Sequence, residues 1–350
     1  MRHQFMISPD ELIAVVARFP RVRLANTPTP IEPLSNLGSD LGISLSAKRD
    51  DYTGIGFGGN KVRQLEFYFG SALEQGADVV LITGAVQSNF ARTAAAIARR
   101  LDMDCHIQLE ERVPYASDLY RGNGNVLLDR LLGATIHEFP GGEDEAGADA
   151  ALQVIAEGLR REGRKPFIIP LAADHPPLGA LGYVLGAVEL AQQMETDGRF
   201  DKIVLASGSS LTHIGLLFGL RALGIDIAVH GVCVRRDAEA QESRIVERLA
   251  ALGTLMDMDV PIEQGDVLLY DGTLAPGYGR LNAATTDAIL HAARREGLFL
   301  DPAYTGKAMA GLIDLARTAQ LVGERILFWH TGGQPALFGY ADQLDAASSN

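Results

Sequence analysis

The sequence predicts an α/β protein whose parallel sheets are covered by helices on both faces, and three features carry that expectation. Short β-branched runs alternate with long amphipathic stretches along most of the chain. At 350 residues the chain exceeds the usual size of a single core, so two domains are expected. Loops rich in glycine or hydroxyl residues recur where a strand run meets a helical run, the kind of junction at which such sheets gather ligands.

The elements follow in order. The stretch "PLSNLGSDLGISLSAKRDD" (33–51) reads as a helix, a short strand and a loop. "ADVVLITG" (77–84) leads into the helical "SNFARTAAAIARRL" (88–101), and "DCHIQLE" (104–110) follows. "NVLLDRLLG" (125–133), "TIHEF" (135–139) and "ADAALQVIAEGLRREG" (148–163) repeat the alternation. "PFIIPLA" (166–172) precedes "GALGYVLGAVELAQQME" (179–195). "KIVLASG" (202–208), "HIGLLFGLRALG" (213–224), "DIAVHGVCV" (226–234) and "RILFWHTGG" (325–333) complete the series. Punctuation is weak, confined to "PGGEDEAGA" (140–148) and the junction at 165–167.

Composition narrows the functional classes. A formal charge of −13 argues against a nucleic-acid partner, because no basic field exists to displace phosphate counterions. Cys105 and Cys233 lie in unrelated apolar contexts, without metal-ligand spacing, and read as buried structural thiols. The N-terminal "MRHQFMISPDELIAVVARFPR" carries acidic residues within its apolar stretch and does not read as a secretory leader. No run approaches the ~20 apolar residues of a membrane span. The expected location is the cytoplasm, and the expected ligand is a small molecule.

Four loops stand at strand–helix junctions: 53–61, 84–89, 206–212 and 331–333. The first, "TGIGFGGNK", admits three devices. A dinucleotide fingerprint requires a preceding hydrophobic strand and a trailing acid at a strand end. Here "SLSAKRDDYT" is polar and Asp78 opens a strand run. A phosphate loop requires Ser or Thr after the lysine, and Val62 stands there. What remains is a covalent lysine, Lys61, delivered to a carbonyl by a rigid turn, or a plain glycine turn before a surface lysine. In the second loop, Gln87, Ser88 and Asn89 exceed what one helix cap needs. In the third, Ser209, Ser210, Leu211 and Thr212 could aim amides and hydroxyls at a phosphate, or form an ordinary turn. Tyr278 in "APGYGRL" and Tyr304 in "LDPAYTGKAM" occupy glycine-flanked turns, odd places for core aromatics. His330 reads as a packed residue, whereas Asp174 and His175 read as a turn or a substrate contact.

Together, "KRDDYTGIGFGGNKVRQLEF", "GAVQSNFARTAA", "GNVLLDRLLGA", "GALGYV", "PGYG", "LDPAYTGKAMAGL" and "HTGGQPALF" occur in order over nearly the whole chain. This ordered set resembles the D-cysteine desulfhydrase and 1-aminocyclopropane-1-carboxylate deaminase family. The resemblance implies a tryptophan-synthase-β-like fold of two open, twisted, mostly parallel sheets flanked by helices, a pyridoxal 5'-phosphate cofactor and a homodimer. It implies a large domain of residues 1–63 and 166–350 and a small domain of 64–165.

The resemblance also assigns roles by position. Lys61 would form the Schiff base with the cofactor aldehyde and later move the α-proton. Asn89 would bind the ring hydroxyl oxygen, and Ser88 would hold the substrate carboxylate or assist proton transfer. Ser209, Ser210, Leu211 and Thr212 would cradle the phosphate. Tyr278 and Tyr304 would line the substrate face, with Thr305 and Thr331 near the pyridine nitrogen. No metal is implied. The deaminase branch has glutamate at the position of Thr305 and leucine at that of Thr331. A neutral partner leaves the electron sink weaker, which suits α,β-elimination from a β-substituted amino acid such as D-cysteine, giving pyruvate, ammonia and the released β-group. The alternatives are 1-aminocyclopropane-1-carboxylate deamination, L-cysteate sulfo-lyase activity and a non-catalytic binding paralogue. Ser210-Leu211 in place of Gly-Gly, Phe90 in place of histidine, Gln64 in place of lysine or arginine, and Asp174-His175 all depart from the family pattern.

Overall fold

The structure is a computed structural model that describes residues 6–114, 116–142, 144–171, 175–321 and 324–348. Asp174 lies outside the described residues. The strands are β1 (Ile31–Pro33), β2 (Ser44–Arg49), β3 (Val79–Ala85), β4 (Asp104–Glu110) and β5 (Thr135–Phe139). They continue with β6 (Pro166–Ile169), β7 (Lys202–Ser207), β8 (Ala228–Cys233), β9 (Leu268–Tyr270) and β10 (Arg325–His330). They form a six-stranded sheet in the order β1-β2-β10-β7-β8-β9 and a four-stranded sheet in the order β5-β4-β3-β6. Every pairing is parallel except β1 with β2.

Burial explains the strand sequences. All seven residues of β3 are buried, because β4 and β6 flank it and helices cover both faces, so its sequence is almost wholly apolar. The edge strand β5 is only partly covered and mixes polar with apolar residues. "DCHIQLE" and "TIHEF" form strands at the expected bounds. Two short strands went unread in the sequence. β1 ends on Pro33 at a sheet edge, where its missing N–H costs no ladder bond, and β9 closes the opposite edge. The expected small-domain limit at residue 165 falls just before β6, yet β6 pairs with β3, so the four-stranded sheet extends past that limit.

A buried ion network anchors the helix Asn60–Glu74 to the large sheet. Asp50, just past β2, accepts from Arg63 Nη2 at 2.8 Å, Tyr183 OH at 2.6 Å, Trp329 Nε1 at 2.8 Å and Thr29 Oγ1 at 2.8 Å. Glu189 accepts from Lys48 and from Arg63 Nη1. Burial works to raise the Asp50 carboxyl, but Arg63, Lys48 and Tyr183 outweigh it and hold it at about 2. Removing one partner of such a network costs about 3–5 kcal/mol. Both cysteines are free and buried, as expected.

Candidate active site

The loops after β3, β7 and β10, and the first turn of the helix Asn60–Glu74, line one cavity. The turn reaches it because two glycine backbones meet. Gly59 has φ +102 and Gly332 has φ +81, and a Cβ added to Gly332 would lie 2.6 Å from Gly59 Cα. Asn60 N donates to Thr331 O at 3.0 Å, so the start of the helix is stitched to the end of β10. Side chains at either glycine would force the two loops apart and withdraw Lys61.

Lys61 Nζ donates to Gln64 Oε1 at 3.2 Å and lies 5.3 Å from the centre of the Phe90 ring. The residue keeps some solvent contact through the cavity, yet burial pulls its ammonium down to about 8. Among the described residues lining the cavity, none is a carboxylate that would restore the charge. Gln64 also donates through Nε2 to Thr212 Oγ1 at 2.9 Å, and Asn60 Nδ2 donates to the same oxygen at 2.9 Å. Lys61 is thereby linked to the loop after β7 by one side chain.

That loop leads into the helix Leu211–Ala222. Ser210 adopts a left-handed conformation, φ 74, and its side chain caps no amide; Ser210 Oγ instead donates to Ser209 O at 2.5 Å. Helix starts leave their first amides without intrahelical acceptors, so the uncapped turn at Ser209–Thr212 fits an anion such as a phosphate. Ser207 and Gln241 brace it from behind: Gln241 Nε2 donates to Ser207 Oγ at 2.9 Å and to Gly208 O at 3.2 Å.

On the opposite wall Ser88 caps the helix Asn89–Arg100, its Oγ accepting from Ala91 N at 3.1 Å. Asn89 Oδ1 accepts from Asn125 Nδ2 at 2.9 Å, an orientation that reserves Asn89 Nδ2 for another acceptor. Gln87 serves the loop and not a ligand, donating to Tyr120 O and Asn123 O while accepting from Asn125 N. Tyr278 and Tyr304 share a hydrogen bond of 2.6 Å between hydroxyls, with rings edge to face. Burial raises both phenols, so they stay protonated donors.

The structure brings Lys61, Ser88, Asn89, Ser209, Ser210, Leu211, Thr212, Tyr278, Tyr304 and Thr331 together around the cavity. Thr305 is different. It is not among the lining residues; its Oγ1 donates to Asp301 Oδ1 at 2.7 Å and accepts from Asp301 N at 2.7 Å. Asp301 also accepts from the amides of Ala303, Tyr304 and Thr305, so this turn is held by a buried carboxylate absent from the sequence reading. His330 is buried and accepts from Gly332 N at 3.1 Å, in keeping with a packed residue. His175 lies 3.4 Å from Asp149, and its carbonyl accepts from Arg248. Sequence reasoning missed Arg112, Arg235, Arg244 and Arg248, all lining the cavity. The available signal was position: Arg112 and Arg235 each stand two residues beyond the C-terminal end of a parallel strand.

Loops at strand ends, an uncapped helix start and a lysine amine of depressed basicity define an α/β enzyme built to hold an aldehyde cofactor bearing a phosphate. The chain belongs to the pyridoxal-phosphate dependent enzyme family, whose pattern matches residues 22–332. It is 41% identical over 326 residues to D-cysteine desulfhydrase of Salmonella newport (strain SL254), covering 93% of this chain and 97% of the relative. The same protein of Salmonella schwarzengrund (strain CVM19633) matches equally, at 41% over 326 residues, 93% of this chain and 97% of that one. Among solved structures, an ACC deaminase homologue superposes with a TM-score of 0.87 at 39% identity, covering 97% of this chain and 99% of that one. A fungal L-serine ammonia-lyase from Rhizomucor miehei, at 17% identity and a TM-score of 0.64 over 93% of this chain and 99% of that one, shares the fold. The architecture is the tryptophan-synthase-β-like one that the motifs implied. Among the described residues no helix is long and apolar enough to cross a membrane, and no cluster of three potential metal ligands occurs.

Proposed function

We propose that this protein catalyses α,β-elimination from a β-substituted amino acid such as D-cysteine, releasing pyruvate, ammonia and the β-group. The observation that carries the reading is the Lys61 amine, set in the cavity with its basicity lowered to about 8. Near-full-length similarity to D-cysteine desulfhydrases supports it. Bound pyridoxal phosphate supplies the electron sink for bonds at the substrate α-carbon.

Lys61 Nζ would anchor the cofactor and serve as the base for the α-proton, since a pKa near 8 leaves a useful neutral fraction at working pH. Ser209–Thr212 would hold the phosphate through amides and the helix dipole. Asn89 Nδ2, left open by the bond that its Oδ1 accepts from Asn125, would serve the cofactor ring, and Ser88 would seat the α-carboxylate. The protonated hydroxyls of Tyr278 and Tyr304 face the substrate and donate to groups that gain charge. Thr331 is the neutral neighbour assigned to the ring nitrogen, while Thr305 acts through Asp301 by holding the turn that carries Tyr304. A neutral threonine at position 331 favours elimination over cyclopropane opening. We further propose that the protein is a cytoplasmic homodimer, and that its small domain spans about residues 64–165 with β6 added.

Purified protein should release pyruvate and sulfide from D-cysteine. Release of 2-oxobutanoate from 1-aminocyclopropane-1-carboxylate, with no action on D-cysteine, would defeat this reading. A Lys61→Ala variant that kept turnover would defeat the assigned mechanism. Light scattering that gave a monomer mass would remove the dimer.

A further inference from the structure

Behind the cavity wall that carries Asn89 lies a buried polar chain that the elimination reading leaves unused. Asn125 and Arg92 are fully buried, and Asn89 is nearly so. Asn125 opens the helix Asn125–Leu131, just after Gly124 with φ 60, and its backbone N donates to Gln87 Oε1 at 2.9 Å. Its side chain reaches Asn89 and Arg92, both on the helix Asn89–Arg100. A buried side-chain amide costs stability unless its donor and acceptor ends are each met, which makes the direction of its bonds strict.

That direction follows from the chemistry of the partners. Arginine has donors and no acceptor, so the atom of Asn125 that meets Arg92 Nε, at 3.1 Å, must be Oδ1. Asn125 Nδ2 is thereby turned to the other side, where it donates to Gln87 O at 3.1 Å and to Asn89 Oδ1 at 2.9 Å. A carbonyl oxygen only accepts, so Gln87 enforces the same orientation independently. The Asn89 amide is fixed in turn, with Oδ1 toward Asn125 and Nδ2 toward the loop after β10. A Cβ added to Gly333 in that loop would lie 2.7 Å from the nitrogen, and Asn89 lines the cavity. Burial lowers the Arg92 guanidinium to about 10 against the pull of Asp129, so at neutral pH it remains a charged donor. Arg92 Nη1 also donates to Gly58 O at 3.4 Å, in the glycine turn that precedes Lys61.

We propose that Asn125 is a positioning residue: held by Arg92 and the Gln87 carbonyl, it locks the Asn89 amide so that a donor, and not an acceptor, faces the ring oxygen of the cofactor. This rests on the role given to Asn89 above. An unrestrained asparagine can turn either end of its amide to a ligand, since the two ends are alike in size and shape. Set in advance against Asn125, Asn89 presents its donor without that choice, and the ordering occurs on folding instead of on binding. Asn125→Asp reverses the chain with little change in volume. The new carboxylate only accepts and keeps a partner in the Arg92 guanidinium. It draws Asn89 Nδ2 toward itself and leaves Oδ1 to face the ring oxygen.

The test uses the full-length apoprotein and two ligands without an aldehyde, which cannot bond covalently to Lys61: pyridoxine 5'-phosphate and its 3-deoxy analogue, which lacks the ring oxygen. By calorimetry the wild type should bind the first at least about tenfold tighter than the second, the worth of one strong hydrogen bond. Asn125→Asp should bring that ratio to within about threefold of one while leaving affinity for the deoxy analogue unchanged. In an Asn89→Ala background, where the ring oxygen has already lost its donor, Asn125→Asp should not move the ratio, because it acts through Asn89. A single variant that keeps the wild-type ratio overturns the positioning role and leaves Asn89 in its assigned place. Equal loss on both ligands makes Asn125 a support of the fold and overturns the role as well, as does a ratio that still moves in the Asn89→Ala background. A wild-type ratio near one means that Asn89 does not meet the ring oxygen, which defeats that reading and the proposal with it. If Asn125→Asp does not fold, because its carboxylate faces the Gln87 carbonyl, Asn125→Ala takes its place. It frees Asn89 to turn, so the ratio should fall by at least about threefold, and an unchanged ratio sinks the proposal.

Discussion

Replacing Gln64 with glutamate would set a carboxylate where the amide oxygen now lies, 3.2 Å from Lys61 Nζ. The wild-type ammonium is pulled from 10.5 to about 8 by burial alone. At neutral pH that shift raises the neutral, nucleophilic fraction from about 0.03% to about 10%, a gain of roughly 300-fold. A carboxylate at hydrogen-bond distance favours the charged ammonium and moves a neighbouring pKa by about 1–3 units. Gln64→Glu should therefore return most of the shift and cut the neutral fraction at pH 7 by about tenfold per unit regained. The assay is covalent uptake of pyridoxal phosphate by the apoprotein, followed by absorbance as a function of pH. Wild-type rates should climb tenfold per unit and level off near 8, whereas the glutamate variant should keep climbing to higher pH. Gln64→Met is the control, since it loses the bond to Thr212 Oγ1 without adding charge. The reasoning is refuted if the glutamate variant levels off with the wild type, or if the methionine variant reproduces its shift.

Three further outcomes are expected. Gly332→Ala places a methyl 2.6 Å from Gly59 Cα at a φ of +81; it should separate the two loops and reduce pyridoxal-phosphate affinity at least about tenfold, read by spectral titration. Asp50→Asn removes the carboxylate that serves Arg63, Tyr183 and Trp329 and should cost about 3–5 kcal/mol in denaturant titrations at neutral pH. Because the folded-state carboxyl is depressed to about 2, its contribution is full above the ordinary carboxylate range and lost as pH falls through about 2, so the gap between wild type and variant should narrow only in acid. Tyr304→Phe, which deletes one hydroxyl of the 2.6 Å pair, should lower kcat by about 10²–10³ while binding of the cofactor is retained, measured as turnover against bound absorbance.

The alternation of apolar strand runs with amphipathic helices determined the α/β class, because a parallel strand buried on both faces must be apolar along its length, as β3 is. The glycine turn and Lys61 were legible for a similar reason: positive φ and close backbone approach leave glycine as the one residue that fits, and that constraint is written locally. Strands of three residues such as β1 and β9 were not legible, since a run so short becomes a strand only through the neighbour it pairs with. Sheet membership of β6 was decided the same way, by its pairing with β3 across more than 80 residues of chain. The commitment of the Thr305 hydroxyl to Asp301 depends on the turn that joins them, so the motif around Tyr304 could not reveal it. The four arginines that line the cavity were the least visible feature of all. Arginine is ordinarily a surface residue, and nothing local separates Arg244 from its exposed neighbours on the same helix. Only tertiary packing gathers Arg112, Arg235, Arg244 and Arg248 around the cavity that holds Lys61, because electrostatic environment is set by distances between segments and not by their order along the chain.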